Sequence, residues 1–198
     1  MTLPSRLVPL VLSLAELLDR LKLPHAFGGA LANNYWGVVR ATQDIDLLIL
    51  LPALRYQEVA TAFADGGFSM RSEDDRPVAV EVALMRRQTQ DRRMFALYDR
   101  DGIKVEVFVP VIPLQDEILK RAVRLPFEGR PIPVTTAEDL ILLKMAFHRD
   151  KDLRDVRGIL ATQKGKLDTA YLLSWIGRML EDRSSEELRQ WMREYGAG

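Results

Sequence analysis

The stretch that decides the fold runs over residues 25–49 and reads HAFGGALANNYWGVVRATQDIDLLI. Near its end, Asp44 and Asp46 stand two residues apart at the start of an apolar run. Residues two apart in a β-strand point to the same face of the sheet. The two carboxylates would therefore project together, while Ile45 and Leu47 would face the core. The pattern predicts a strand that carries paired acids on one face.

Paired acids on one strand face need a positive partner. Two like charges held side by side away from water are costly unless a positive group lies between them. A divalent cation is the most common partner, and hard carboxylate oxygens suit Mg²⁺. An Asp-x-Asp triplet can also lie on a solvated strand edge or in a turn. The apolar run at residues 47–51 favours a central buried strand, so the triplet is a candidate Mg²⁺ site for phosphoryl chemistry.

The pair Gly28-Gly29 lies between a short predicted strand over residues 25–27 and a predicted helix over residues 30–36. Glycine has no Cβ, so the backbone at this corner can approach a triphosphate closely. Free N–H groups at the start of a helix also point at an anion. The alternative is that the glycines only make a tight turn from strand to helix.

Composition bounds the class of protein. The chain has 198 residues, enough for one well-buried domain with a small helical appendage. Its 28 Lys and Arg balance its 28 Asp and Glu, so no bulk charge attracts nucleic acid or an anionic membrane, although a local basic patch remains possible. The absence of cysteine excludes disulfides and thiolate metal sites. No apolar run approaches the ~20 residues that cross a bilayer, and we expect a cytoplasmic protein without a membrane partner.

Hydrophobic periodicity predicts the remaining elements. It predicts helices over residues 5–22, 54–64, 114–122, 168–180 and 185–195, one long helix over 135–161, a strand over 42–51, a hairpin of 94–98 with 103–109, and a loop or irregular hairpin over 123–134. The alternation of helices and strands predicts an α/β (α+β) core over residues 1–134. An α-helical C-terminal region over residues 135–198 would pack on that core.

Several motifs, taken in order, carry a resemblance to a known family. Gly28-Gly29 followed by RATQDID at residues 40–46 resembles the polymerase-β-like nucleotidyltransferase superfamily, in its small bacterial branch of AbiEii-type toxins and lincosamide nucleotidyltransferases. The stretches AEDLILLK at 137–144 and RDKDLRDV at 149–156 resemble a C-terminal helix of the same proteins. The resemblance covers residues 24–160 in pieces. It implies a nucleotidyltransferase-fold mixed sheet flanked by helices.

The resemblance also implies a third carboxylate on a later strand. The family usually has Asp there, whereas the matching strand of this chain reads KVEVF over residues 104–108 and offers Glu106. Glu81 is a weaker candidate because no clear hairpin precedes it. By resemblance, Asp44, Asp46 and Glu106 would be the catalytic and metal-binding residues and would hold two Mg²⁺ ions.

Further residues are candidates for binding the nucleotide beside Gly28 and Gly29. Lys144, His148 and Lys151 would share one face of the predicted long helix and could neutralise phosphates. The alternative is a solvated face on which Lys151 pairs with a neighbouring acid. Arg40 and Thr42 precede the paired acids and could contact phosphate, although Arg40 could equally be a surface charge.

The basic cluster of Arg86, Arg87, Arg92 and Arg93 could hold an RNA acceptor or a phosphate. Charge runs of this length are more often solvated loops, and we favour that interpretation.

Together these features predict a Mg²⁺-dependent nucleotidyltransferase that moves a nucleoside monophosphate from an NTP to a hydroxyl acceptor. The acceptor could belong to a tRNA, a protein or a small molecule. The alternative is a catalytically inactive relative that keeps the fold as a binding module, for example as a toxin–antitoxin partner. Glu106 at the third carboxylate position fits that alternative as well, and an antitoxin is a possible partner in either case.

Overall fold

The structure is a computed structural model, and it describes residues 4–92 and 94–196. Eight strands are present in the described ranges: β1 (His25–Phe27), β2 (Asp44–Ile49), β3 (Met70–Arg71), β4 (Pro77–Val78), β5 (Met94–Tyr98), β6 (Lys104–Phe108), β7 (Val123–Phe127) and β8 (Arg130–Val134). The helices over the same ranges are α1 (Leu7–Arg20), α2 (Gly29–Trp36), α3 (Tyr56–Asp65), α4 (Val82–Arg92), α5 (Pro113–Arg121), α6 (Ala137–Phe147), α7 (Asp150–Thr162), α8 (Thr169–Met179) and α9 (Asp182–Glu194).

Six of the strands form one mixed sheet in the order β5-β6-β2-β1-β8-β7. Strand β2 lies at its centre, antiparallel to β1 and parallel to β6. Strands β5 and β6 form the predicted hairpin, and β3 and β4 form a separate two-stranded ribbon. The predicted mixed sheet flanked by helices is therefore confirmed. The division of the chain at residue 134 stays a prediction.

The side chains of β2 divide between the core and a cavity. Ile45, Leu47 and Ile49 alternate along the strand and are buried in the core, as their period of two predicts. Asp44 and Asp46 occupy the other face and line a cavity. Helices α5 and α6 provide the opposite wall of that cavity, and α2 packs against β2 beside it. Among the described residues, no helix is long and apolar enough to cross a membrane.

Residues 123–134 form a regular hairpin, β7–β8, where the sequence left open a loop or an irregular hairpin. The three prolines of this segment misled the prediction, because proline cannot donate to a ladder. In the structure the backbone N–H of Thr135 donates to the carbonyl of Phe27 on β1 at 2.9 Å. Backbone nitrogens two residues apart in a strand point to the same side, so the nitrogens of Pro131 and Pro133 also point toward β1. Since β1 pairs with β8 only at Val134, no donor is needed from either proline.

The predicted long helix over residues 135–161 is wrong, because the chain breaks between α6 and α7. His148 adopts a left-handed conformation with φ +52°, and its N–H donates to the carbonyl of Lys144. Arg149 is extended and begins α7 as its N-cap. Neither glycine nor proline marks the break in the sequence. Local helix propensity therefore predicts one continuous helix, whereas tertiary contacts end α6 at this point. One consequence is that Lys144, His148 and Lys151 do not share a helical face.

The basic stretch at residues 86–93 is predicted as a solvated loop. The loop is wrong for the residues that form α4, whereas the solvent exposure of Arg86 and Arg87 is as predicted. Its guanidinium groups make specific contacts. Arg86 lies 4.5 Å from the ring centre of Tyr56 and donates to a backbone carbonyl at 2.8 Å. Arg87 pairs with Glu73 at 3.1 Å. Neither Arg86 nor Arg87 lines the cavity of the paired acids.

The rest of this basic cluster is not covered by the structure. Arg93 lies outside the described residues, and so does the side chain of Arg92. The proposed RNA or phosphate contact of the cluster therefore stays a prediction for these two residues.

A buried polar cluster ties α8 to α6. Asp139 is fully buried and accepts hydrogen bonds from the hydroxyls of Tyr171, at 2.5 Å, and of Thr136, at 2.6 Å. Arg121 of α5 lies 3.4 Å from the Asp139 carboxylate and 3.7 Å from the ring centre of Tyr171. Burial raises the pKa of Asp139, and the hydrogen bonds from Thr136 and Tyr171 offset part of that rise.

We expect Tyr171→Phe to lower the free energy of unfolding by ~1–3 kcal/mol, because it leaves a fully buried carboxylate short of one donor. Chemical denaturation measures this value. Tyr35→Phe is the matched control, since the Tyr35 hydroxyl also donates once but to a backbone carbonyl at an exposed site. A larger loss for the Tyr35 variant would contradict the role assigned to the cluster.

Candidate active site

The paired acids lie at the start of β2, directly beside β6. The parallel register sets Asp44 opposite Lys104 and Asp46 opposite Glu106. All four side chains belong to the same face of the sheet, since residues two apart share a face. The strands thus bring together the three carboxylates that the sequence singled out, and they add a lysine to the group.

Asp46 lies at the floor of the cavity. Within the described ranges its carboxylate accepts no hydrogen bond. Burial, followed by the nearby charges of Asp44 and Glu106, raises the pKa of Asp46 to about 6. The charges of Lys144 and Lys151 act in the opposite direction. A carboxylate in this setting is stabilised by a cation in the cavity, which is the chemistry that the sequence pattern indicates.

Asp44 is oriented by its neighbour in the sequence. The hydroxyl of Thr42 donates to Oδ1 of Asp44 at 2.7 Å, and Thr42 itself is buried. That hydrogen bond holds one carboxylate oxygen and leaves Oδ2 without a partner among the described residues. Thr42 therefore acts on Asp44 in this structure and does not line the cavity.

The glycine corner lies directly against Asp46. Gly28 donates its N–H to the backbone carbonyl of Asp46 at 2.9 Å, and α2 begins at the next residue. Gly29 has φ +52°, and a Cβ built on it would lie 1.6 Å from Oδ2 of Asp46. A Cβ on Gly28 would meet nothing closer than 3.8 Å. The close approach of backbone to carboxylate thus requires glycine at position 29 and not at position 28.

Glu106 is engaged by Lys104. The ammonium group of Lys104 hydrogen-bonds to Oε1 of Glu106, and burial and that hydrogen bond act in opposite directions on the pKa of Lys104, which is raised overall. Over the described parts of the chain, no three His, Cys, Asp or Glu side chains are placed so that together they could hold a metal ion. Asp44, Asp46 and Glu106 all line the cavity, and of these Glu106 has one carboxylate oxygen held by Lys104.

A network of ion pairs forms the wall opposite the carboxylates. Asp155 accepts from Arg40 at 3.1 Å and from Lys144 at 2.6 Å. Asp152 accepts from Lys144 at 3.5 Å and from Arg149 at 2.5 Å. Three cations thus surround two buried acids and leave an excess positive charge on this wall. The network also joins the loop after α2 to α6 and α7.

The predicted cations differ in how freely they could meet a ligand. Lys144 is buried between its two acids, whereas Arg40 is half-buried at the cavity edge. Lys151 is exposed and lines the cavity. Lys151 does not pair with the neighbouring acid Asp155, because Asp155 already forms ion pairs with Arg40 and Lys144.

Of the three residues predicted to share a face, His148 turns away from the cavity. Its Nε2 lies 2.8 Å from the carboxylate of Glu187 on α9.

Sequence reasoning missed four residues of this site. Arg149, Asp152 and Asp155 stand in the RDKDLRDV motif, which carried the resemblance but gave them no role. The hydrogen bond to Asp152 is the main cause that raises the pKa of Arg149, and the charges of Asp46 and Glu106 add to it. Gln115 of α5 also lines the cavity, and no local pattern indicates it.

The cavity between these walls has a volume of about 220 Å³. This is below the 300–1,000 Å³ usual for sites that enclose a small ligand, so a ligand larger than the cavity would extend through its open mouth. One end carries the carboxylates, the glycine corner and the cations. The other end is apolar, with Leu48, Phe108, Ile118, Leu140, Leu143 and Phe147.

Solved structures with the same fold are nucleotidyltransferases. An antigenic nucleotidyltransferase-like protein from Paracoccidioides brasiliensis aligns with a TM-score of 0.54 at 19% identity, covering 94% of each chain. ANT(2")-Ia in complex with adenylyl-2"-tobramycin aligns with a TM-score of 0.53 at 18% identity, covering 96% of this chain and 98% of its own. The lincomycin-bound lincosamide antibiotic adenylyltransferase LnuA aligns with a TM-score of 0.50 at 13% identity, covering 80% and 98%. The fold is therefore that of the nucleotidyltransferases.

The family follows from the sequence as a whole. Residues 12–194 match the family of the nucleotidyl transferase AbiEii toxin of type IV toxin–antitoxin systems. The chain belongs to this AbiEii family, which confirms the resemblance seen in its motifs. No curated protein matches the chain in sequence.

Proposed function

We propose that the protein transfers a nucleoside monophosphate from an NTP to a hydroxyl group, with Asp44 and Asp46 at the centre of the site. The observation that carries this proposal is the unpartnered Asp46 carboxylate, which lies against Gly29, a position that admits no side chain. A carboxylate pair of this kind suits a hard divalent cation. Membership of the AbiEii family supports the same reaction.

Mg²⁺ is the expected cofactor, and Asp44 and Asp46 would hold it. When bound, the ion would neutralise the phosphate oxygens and stabilise the charge that develops as the phosphoanhydride bond breaks. A second ion, as the family resemblance implies, would need Glu106 as a ligand. Because Lys104 holds the Glu106 carboxylate, we propose that Glu106 serves a metal or an attacking hydroxyl only after that pair opens.

The chain's other polar groups are suited to the triphosphate. The first N–H groups of α2 have no partner within the helix, and Gly29 and Ala30 line the cavity beside Asp46. Across the cavity, Lys151 and Arg149 present cations. We propose that these groups bind the β- and γ-phosphates and hold the departing pyrophosphate. Arg40 and Lys144 act on the nucleotide indirectly, because they belong to the network of ion pairs that holds Arg149 in position.

The acceptor is a hydroxyl of a tRNA, a protein or a small molecule. Balanced net charge disfavours a long RNA, but the end of a tRNA needs only a local patch of cations. Because NTPs are its substrates, we expect the protein to act in the cytoplasm. The toxin–antitoxin system of the family supports an antitoxin as a partner of this chain.

Label transfer tests the proposal directly. The purified chain is incubated with Mg²⁺ and each α-labelled NTP in turn, together with cell RNA and protein, and the products are separated. We expect label from at least one NTP to appear in one fraction, and chelation of the metal to abolish it. A catalytically inactive binding module, which the Lys104–Glu106 pair favours, would transfer no label and show no change of melting temperature with any NTP.

Lys104→Met tests whether the lysine restrains Glu106. The variant frees a third carboxylate toward the cavity, so we expect about tenfold tighter binding of Mn²⁺, a difference of ~1.4 kcal/mol. Isothermal titration of the nucleotide-free protein measures this affinity. Lys120→Met is the matched control, because Lys120 forms a similar pair with Glu117 on the surface. Equal Mn²⁺ affinity in wild type and Lys104→Met would show that Glu106 is not held back by its lysine.

A further inference from the structure

The cavity continues past the carboxylates into an apolar end. Leu48 and Phe108 follow the acids along β2 and β6 on the same face of the sheet. Ile118 and Leu143 close the opposite side, and Phe147 stands at the mouth with 57% of its surface exposed. The guanidinium of Arg149 lies over this ring, 5.0 Å from its centre, and the exposed remainder of the ring offers a surface on which a flat ring can stack. No phosphate or metal would be stabilised among these apolar side chains.

Gln115 is the one glutamine in this wall of the cavity, and its amide is fixed in orientation. Its side-chain oxygen accepts from the backbone N–H of Val111 at 2.8 Å and from that of Ile112 at 3.3 Å. Because backbone N–H groups only donate, the oxygen must face them. The Nε2 group therefore points the other way as a donor.

The donor of Gln115 has no partner. The residue is 91% buried, at 9% exposure. Within residues 4–92 and 94–196 its Nε2 donates no hydrogen bond, and this atom is not itself enclosed by protein but is open to the cavity that Gln115 lines. A side-chain donor that faces a cavity and has no protein partner is satisfied there by water or by a ligand. A fixed donor without a partner, in the wall of a cavity, is a group ready to bind a ligand that offers an acceptor.

The two ends of the cavity together describe one class of ligand. The polar end offers cations and a metal-binding pair, and the apolar end offers stacking surface and a single fixed donor. A molecule with an anionic chain at one end and a flat ring at the other matches both. A nucleotide has this form.

We propose that the apolar end binds the nucleobase of the NTP and that Nε2 of Gln115 donates to a carbonyl oxygen of the base. The assignment rests on the proposed function and makes it specific. Uracil, cytosine and guanine carry an exocyclic carbonyl oxygen, whereas the acceptors of adenine are ring nitrogens and its exocyclic group is an amine that only donates. A site built to donate to a substrate group selects strongly against the analogue that lacks it, because the buried donor is then left unpaired. UTP, CTP or GTP is therefore the substrate, and ATP is a poor one.

Gln115→Glu is the sharpest test of this donor. Glutamate keeps the oxygen that accepts from Val111 and Ile112, so the start of α5 is preserved, but it replaces the donor with an acceptor. We measure the affinity of the full chain for ATP, GTP, CTP and UTP with Mg²⁺, from the change of melting temperature with NTP concentration. Gln57→Glu, an exposed position on α3, adds the same charge and is the control.

For the wild type and the Gln57→Glu control, we expect at least one of GTP, CTP and UTP to bind tenfold or more tightly than ATP. In Gln115→Glu we expect that ratio to fall at least tenfold. If Gln115→Glu does not fold, Gln115→Met, which has similar length and no donor, takes its place with the same expectation.

The experiment distinguishes failure of the base assignment alone from failure of the proposed function as well. Tight binding of ATP by the wild type, or a ratio unchanged in a folded Gln115 variant, would overturn the base assignment and leave the proposed function intact. No binding of any NTP and no label transfer would overturn both. A Gln115 variant that changes only the KM of the acceptor would assign the apolar end to the acceptor and also refute the proposal.

Discussion

Asp46→Asn is expected to lower nucleotide transfer by a factor of about 10³ or more, the scale of losing a preorganised electrostatic contact with the transition state. The amide keeps the shape of the side chain but cannot bind a cation as a carboxylate does. Label transfer at saturating Mg²⁺ measures the loss. Asp65→Asn, at an exposed position of α3, should leave transfer unchanged.

The same variant should be more stable than the wild type when no metal is present. The folded-state pKa of Asp46, about 6, lies above its ordinary value of 3.8, so the ionised form is unfavourable in the fold. The stability of the wild type is therefore highest below pH ~4, falls as the pH rises through 6, and remains low above it. Asparagine avoids this cost of ~3 kcal/mol.

Denaturation of metal-free protein at several pH values tests this gain. We expect Asp46→Asn to exceed the wild type in free energy of unfolding at pH 8 and to match it near pH 4. A gain that is equal at both pH values would show that the titration of Asp46 is not its source. Loss of transfer together with a gain in stability is the signature of a strained functional carboxylate, and a merely structural residue would lose both.

Gly29→Ala should be nearly as damaging as loss of the carboxylate. The new Cβ would lie 1.6 Å from Oδ2 of Asp46, and position 29 has φ +52°. Either Asp46 or the start of α2 must move, and left-handed backbone adds ~1–2 kcal/mol of strain to any residue with a side chain. We expect transfer to fall about a hundredfold or more, and NTP with Mg²⁺ no longer to raise the melting temperature.

Gly28→Ala is the control for this substitution. Its Cβ would meet nothing closer than 3.8 Å, so we expect transfer within a few-fold of the wild type. If the two variants were equally impaired, the glycines would serve a tight turn and not the approach of the backbone to Asp46. That result would support the simpler interpretation of the glycine pair.

The strand patterns of this chain could be predicted because they are local. The alternation of Asp44, Ile45 and Asp46 is decided by a period of two residues, and the structure places the strand at the centre of the sheet as expected. Glu106 was found through the family resemblance, which implies a third carboxylate on a later strand, and the structure has that residue on β6. Its pairing with Lys104 was not foreseen, because the rotamer of a long side chain depends on which neighbouring charges are nearest.

The break at His148 could not be predicted for a different reason. Helix ends are usually marked by glycine or proline, and this one is marked by neither. Asp155, which pairs with Lys144 across the break, also pairs with Arg40, more than a hundred residues earlier in the chain. Such a contact is decided by the whole fold.

Gln115 was missed on the same grounds. Its importance follows from where α5 lies against the cavity, and the sequence around it shows only an ordinary helix start.

The ion-pair network has a consequence for the order in which the chain can complete its site. Its partners come from residue 40 and from residues 144–155, so this wall of the cavity cannot form until residue 155 has left the ribosome. We therefore expect nucleotide transfer to be absent from any shorter nascent chain. A fragment that stops at residue 134 should for the same reason be inert, however well its sheet folds.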